Sequence, residues 1–212
     1  MMALLGLLPP RTEVKGKILF NGTDILRMSD REIRDMRWKE IALVPQGAQN
    51  SFTPVMKIKS HISEVLCVHL KMPGDEAERE TARLLSEVGL DPGIKERYPH
   101  ELSGGQKQRA SIALALACSP SLLLADEPTT ALDVIVQAEI LELLSNLRKT
   151  KGLSILLVTH DLPLAATVCD RLVVMKDGII AETGTPSEIV RDPKHPHTKD
   201  LVREMFGQRD KK

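Results

Sequence analysis

Two carboxylates, Asp126 and Glu127, stand side by side where the aliphatic run Leu122-Leu123-Leu124-Ala125 gives way to Pro128. A short, continuously apolar run fits a strand buried on both faces, and the carboxyl end of such a strand is where open α/β sheets bind ligands. Acids at that edge suit hydrolysis at phosphorus: Asp126 would hold Mg²⁺, directly or through water, and Glu127 would orient and deprotonate the attacking water. Two solvated acids ending an ordinary strand would read the same way. Upstream, Leu102-Ser103-Gly104-Gly105-Gln106 offers a hydroxyl, two residues without a Cβ and a run of backbone N–H groups at the expected start of a helix. Such a terminus attracts phosphate through its unpaired donors and the positive end of its dipole. In isolation, a capping serine followed by flexible glycines is the plainer reading. His160, after Val158-Thr159, is a lone histidine, and lone histidines are more often structural.

These groups need elements to carry them. The runs 122–125, 154–159 and 171–175 are short and apolar, as buried parallel strands are, and a helix over 134–149 between two of them gives a βαβ rhythm. Asp177-Gly178 turns the third run back on Ile179-Ile180-Ala181, which predicts an antiparallel hairpin. Residues 17–27 hold Asn21-Gly22 between two apolar runs, a second hairpin, and Ser29 with Glu32 three residues on predicts a capped helix. Residues 41–44 read as a strand, while 58–70, 75–90 and 106–118 read as helices, with Leu84, Leu85 and Val88 forming one apolar face. The opening residues 1–8 read as part of a helix rather than a signal peptide, having no basic flank and no small-residue cleavage site.

Composition narrows the classes. Lysine plus arginine equal aspartate plus glutamate at 29 each, and aromatic residues make up 2%, so neither a basic excess nor stacking platforms point to nucleic acid. Cys67, Cys118 and Cys169 are odd in number and scattered, which suggests reduced thiols in a cytoplasm rather than disulfides or a zinc site. The longest uncharged stretch, 110–125, is too short for a bilayer span and is broken by Ser119-Pro120-Ser121.

Taken in chain order, five strings resemble the nucleotide-binding domains of ABC transporters: Gln46 in Val44-Pro45-Gln46 the Q-loop, Leu102 to Gln106 the signature motif, Leu122 to Pro128 the Walker B strand, Thr130-Ala131-Leu132-Asp133 the D-loop, and His160 the switch histidine. The resemblance covers 46–160, with fitting flanks. It implies an α/β fold: a P-loop NTPase-like ABC domain with a parallel core sheet, a helical subdomain at about 50–118, a core at about 119–190 ending in an antiparallel hairpin, and a tail at about 191–212. The resemblance further implies ATP and Mg²⁺ as cofactors, with Asp126 and Gln46 at the metal, Glu127 as base, and Gln46 and His160 at the γ-phosphate. Ser103, Gly104, Gly105 and Gln106, with Asp133, would serve ATP held by a second ABC subunit, identical or different, and membrane permease subunits would complete the complex at the inner face of the cell membrane. Asn50-Ser51-Phe52-Thr53-Pro54-Val55-Met56 and His195-Pro196-His197-Thr198-Lys199-Asp200-Leu201 resemble segments of the oligopeptide, dipeptide and nickel importer branch. Gly47-Ala48 stands where that branch more often has Asp-Pro, and Thr53 where Asn is frequent. Some members continue into a cysteine-rich extension that carries an iron–sulfur cluster; no cluster is expected here. Soluble ABC proteins of repair or translation, with coiled-coil insertions or paired domains in one chain, fit less well.

One part of the pattern is missing. No Gly-x-x-x-x-Gly-Lys-Ser/Thr occurs: Lys59-Ser60 and Lys149-Thr150 are preceded by Ile58 and Arg148 where the second glycine is required. Residues 1–10 resemble the far end of the helix that follows such a loop. The expectation is therefore one incomplete domain over 1–212, lacking its first strands and P-loop and inactive alone; the alternative is a non-catalytic or fragmentary subunit that supplies its signature motif to an intact partner.

Overall fold

The computed structural model describes residues 1–9, 11–47 and 51–207, whose chain clusters into two compact units dividing between Val158 and Thr159. In the first unit, Leu19–Phe20 (β1) and Thr23–Asp24 (β2) form the expected hairpin. Asn21 and Gly22 both take positive φ, 48° and 80°, as the tight turn requires. Ser29 and Glu32 close a reciprocal capping box on Asp30–Met36 (α1). Ile41–Val44 (β3), Leu122–Asp126 (β4) and Ser154–Val158 (β5) form a parallel sheet in the order β3-β4-β5.

Aliphatic residues at the first four positions of β4 bury both faces. Leu123 joins the larger core with Ala42 and Val44, covered by Ile58–Leu70 (α2), Gly74–Glu87 (α3), Gly104–Ala115 (α4) and Val134–Lys151 (α5). Leu124 faces the other way, onto Leu5, Ile25, Met36 and Ile41. Ala110, Ile112 and Ala113 leave α4 no exposed apolar edge, the mark of a helix surrounded by protein. Arg109 ties three helices together, donating to the Val88 carbonyl at the end of α3 and to Glu139 of α5, both at 2.9 Å. β5 is one of the two edges of the sheet among the described residues, with Leu156 and Val158 exposed.

The opening residues correct the expectation of a helix over 1–8. Only Met2–Leu5 winds, as a 3-10 turn that Gly6 ends in the left-handed region at φ 59°. Arg37 takes up the freed carbonyls of Leu5 and Gly6 at 2.7 and 3.1 Å.

In the second unit, Leu172–Lys176 (β6) and Ile179–Gly184 (β7) form an antiparallel hairpin through Asp177-Gly178, with a bulge between Val174 and Met175. Ala165 of Leu162–Val168 (α6), Leu172, Val174 and Ile189 of Pro186–Arg191 (α7) make its core. The final helix, Pro196–Gly207 (α8), begins where Glu182 accepts the backbone N–H groups of Lys194 and His195. The His195 to Leu201 string thus spans the start of α8. Ala48, Asn50 and the charged end from Arg209 lie outside the described residues.

Candidate functional site

Parallel register decides what meets at the sheet's carboxyl edge. β3 and β4 pair Val44 with Ala125, so Gln46 and Glu127 each stand two residues beyond the same rung. The Gln46 Nε2 donates to Glu127 Oε2 at 2.9 Å across 81 residues of sequence. From the other side Thr130 Oγ1 donates to the same oxygen at 2.8 Å. The Glu127 backbone is held as well, its N–H donating to the Val158 carbonyl of β5 at 2.9 Å. Pro128 follows at once, and Glu127 sits at φ 43°, a conformation that a non-glycine residue keeps only when its surroundings overdetermine it.

Asp126, the last residue of β4, is half-buried. Among the described residues no hydrogen bond or ion pair engages its carboxylate. Asp126 and Glu127 therefore differ in kind: Glu127 accepts from two neutral donors, whereas Asp126 accepts from none among the described residues. Among the described residues, no three His, Cys, Asp or Glu side chains gather in a way that could hold a metal ion unaided. A single carboxylate does suit a Mg²⁺ that arrives already carrying phosphates and water.

The turn after Glu127 leads to α5. Asp133 caps that helix, accepting from Ile135 N and Val136 N at 3.1 and 3.0 Å, so its carboxylate is committed to the helix terminus. Gln137, which the sequence reading passed over, donates through Nε2 to the carbonyls of Thr129 and Leu132. Its only sequence signal was an amide one turn beyond a capping aspartate.

Ser103 and Gln106 bind each other. The serine hydroxyl accepts from Gln106 N at 3.2 Å, and Gln106 Oε1 accepts from Ser103 N at 3.0 Å, which closes a capping box. Of the four N–H groups that a helix start leaves unpaired, those of Gly104 and Gly105 remain without a partner among the described residues. Ser103 and Gly104 are exposed. The glycines also lie against the turn and the start of α5: a Cβ on Gly104 would stand 3.3 Å from Leu132 Cδ2, and one on Gly105 2.8 Å from Val136 Cγ1.

Gln46, Asp126, Glu127 and Asp133 thus lie on one edge of the first unit with the turn between them, and the signature helix packs against that turn. His160 belongs to the second unit, exposed in the bend before α6, where Asp161 caps the helix through Leu164 N at 2.9 Å and donates its own N–H to Thr159 Oγ1.

A family model described as ABC transporter matches residues 1–130, more than half of the sequence. The chain belongs to the ABC transporter family. Among its relatives, the oligopeptide transport ATP-binding protein OppD of Bacillus subtilis is 46% identical over 200 residues, covering 93% of this chain and 56% of that protein. The dipeptide transport ATP-binding protein DppD of the same organism is 43% identical over 204 residues, covering 94% and 61%. This ABC chain therefore spans somewhat over half the length of these relatives. Among solved structures, cbiO1 of Clostridium perfringens, part of the ABC transporter complex cbiONQ, matches with a TM-score of 0.78 and 29% identity over 100% of this chain and 81% of that one. The ATP-binding cassette MJ0796, in a dimeric post-hydrolysis state bound to ADP and Pi, matches with a TM-score of 0.72 and 29% identity over 81% and 74%. The α/β architecture with a parallel sheet and a carboxy-terminal antiparallel hairpin is the ABC ATPase fold. Among the described residues no helix is long and apolar enough to cross a membrane.

Proposed function

We propose that this chain is part of the ATP-hydrolysing machinery that energises ABC-type uptake of peptides or related solutes, working at the cytoplasmic face of a membrane with permease subunits. The observation that carries this reading is the convergence of Gln46 and Thr130 on Glu127 at the end of β4, beside the uncommitted Asp126. A water held by Glu127 would be aimed by a carboxylate whose position is fixed from two sides. Asp126, with the Gln46 amide oxygen, would hold Mg²⁺, whose chemistry is to neutralise charge on the transferred phosphate. His160 would contact the γ-phosphate.

Gly104 N and Gly105 N, presented by the capped start of α4, would receive the γ-phosphate of ATP held by a second ABC subunit, with Ser103, Gln106 and Asp133 framing that contact. Relatives named for oligopeptide and dipeptide transport support peptides as the solute class, and the dimeric MJ0796 cassette with ADP and Pi supports pairing of two such domains. A second reading, a non-catalytic subunit that lends its signature helix to an intact partner, is favoured by the capped start of α4, whose Ser103 and Gly104 are exposed and need no nucleotide of their own subunit.

A chimera tests both. The part of Bacillus subtilis OppD that precedes the aligned region is joined to this chain, and ATP hydrolysis is followed with and without vanadate. Vanadate-sensitive turnover that disappears in Glu127→Gln supports the catalytic roles. Turnover unchanged by that substitution removes Glu127 from the scheme, and a chimera without turnover that still raises the activity of an intact partner favours the second reading.

A further inference from the structure

We propose that Gln137 is a positioning residue, whose side-chain amide clamps the turn 127–133 onto α5 and so fixes the Glu127 carboxylate; its catalytic meaning rests on the reading of Glu127 given above. The turn is difficult to hold. It contains two non-glycine residues in the left-handed region, Glu127 at φ 43° and Ala131 at φ 63°, and its own backbone bonds are Thr130 N to Glu127 O at 3.1 Å and Leu132 N to Thr129 O at 3.3 Å. Such conformations persist only where the surroundings overdetermine them. Gln137 supplies that surrounding. Its Nε2 donates to Leu132 O at 3.1 Å and to Thr129 O at 3.3 Å, the carbonyls that bracket Ala131. Two carbonyls can be served only by the NH₂ end of an amide, so the partners decide its orientation.

The clamp has a firm base. Gln137 N donates to Asp133 O at 2.9 Å, Asp133 caps the helix, and α5 is anchored by the buried Ile140, Leu141, Leu144 and Leu147. The link to chemistry is one peptide long. Gln137 holds the carbonyl of Thr129, the next residue is Thr130, and the Thr130 hydroxyl donates to Glu127 Oε2 at 2.8 Å. Releasing the 129–130 peptide would swing that hydroxyl off the carboxylate and leave Gln46 as the one of these two donors still in place.

The test uses the full 212-residue chain and NMR. Gln137→Met keeps length, neutrality and helix propensity but removes the donor. Losing two weak hydrogen bonds should speed amide exchange of Thr130 and Leu132 by about tenfold or more, leave the Leu144 amide unchanged, and displace the side-chain carboxyl ¹³C resonance of Glu127. Gln137→Lys, which returns a donor on a stem of similar reach, should restore slow exchange. Thr130→Val should displace the same resonance, and adding Gln137→Met to it should displace it no further, because both act through one hydroxyl.

A Glu127 resonance unmoved by Gln137→Met, or additive displacements in the double variant, overturns the proposal. The two readings fail separately. Hydrolysis that survives Glu127→Gln in the chimera removes the base and leaves the clamp standing, whereas an unmoved Glu127 resonance removes the clamp and leaves the base.

Discussion

Replacing Gly105 with alanine tests whether the signature glycines answer to their own subunit as well as to a nucleotide. An ideal Cβ at that position would lie 2.8 Å from Val136 Cγ1, 3.8 Å from Cγ2 and 3.9 Å from Cβ. Val136 cannot swing aside cheaply, because a β-branched side chain in a helix has essentially one χ1 rotamer. Forcing one methyl into such a contact costs about 1–3 kcal/mol. Against this, alanine exceeds glycine by about 1 kcal/mol in helix propensity, and Gly105 has no positive φ that alanine would refuse. The net expectation for Gly105→Ala is a loss of about 0–2 kcal/mol. In a Val136→Ala background the obstruction is gone, and the same substitution should be neutral or stabilising by up to about 1 kcal/mol. Urea unfolding of wild type, both single variants and the double variant closes the cycle, and a coupling of about 1–3 kcal/mol lies well outside its error. Gly104→Ala is the internal control, since its neighbour is the flexible end of Leu132 at 3.3 Å. Equal destabilisation by Gly105→Ala in both backgrounds would refute the packing argument.

Two further outcomes concern charge. Lys59 and Lys57 hydrogen-bond Glu96 at 2.7 and 3.0 Å and, Lys59 foremost, hold its carboxyl at about 2 against an ordinary 4.5. A depressed folded value means that the stabilisation is complete above pH 4.5 and is lost as pH falls toward about 2; wild type should therefore melt above Glu96→Gln at neutral pH, with the gap closing across that acid window. A gap that stays constant with acid would count against the ion-pair origin. The second outcome is that calorimetry of the 212-residue chain with Mg-ATP gives binding weaker than micromolar. Without three or more charge-assisted phosphate bonds, each about 1.5–3 kcal/mol, at least about 5 of the roughly 8 kcal/mol behind micromolar affinity is missing. A micromolar dissociation constant would contradict that reasoning.

What the sequence determined by itself is what neighbouring residues decide. The Asn21-Gly22 and Asp177-Gly178 turns, the Ser29–Glu32 box and the span of α2 follow from signals within a few residues of one another, and the structure contains each of them. The motifs too were legible, because each is a short string in a fixed order. The opening 3-10 turn was not, since Gly6 ends it and Arg37, 32 residues from Leu5, takes its carbonyls. The site itself was legible only as a set of names. Gln46 meets Glu127 because β3 and β4 pair in parallel with Val44 opposite Ala125, a register that no local pattern specifies. Gly105 needs its missing side chain because Val136 arrives from 31 positions away in space-filling contact, and Gln137 reaches back to Thr129 because a capped helix turns it inward. Propensity and capping act over one helical turn, whereas the relation between a carboxylate and its donors is fixed by burying both faces of a sheet at once, which only the assembled chain can do.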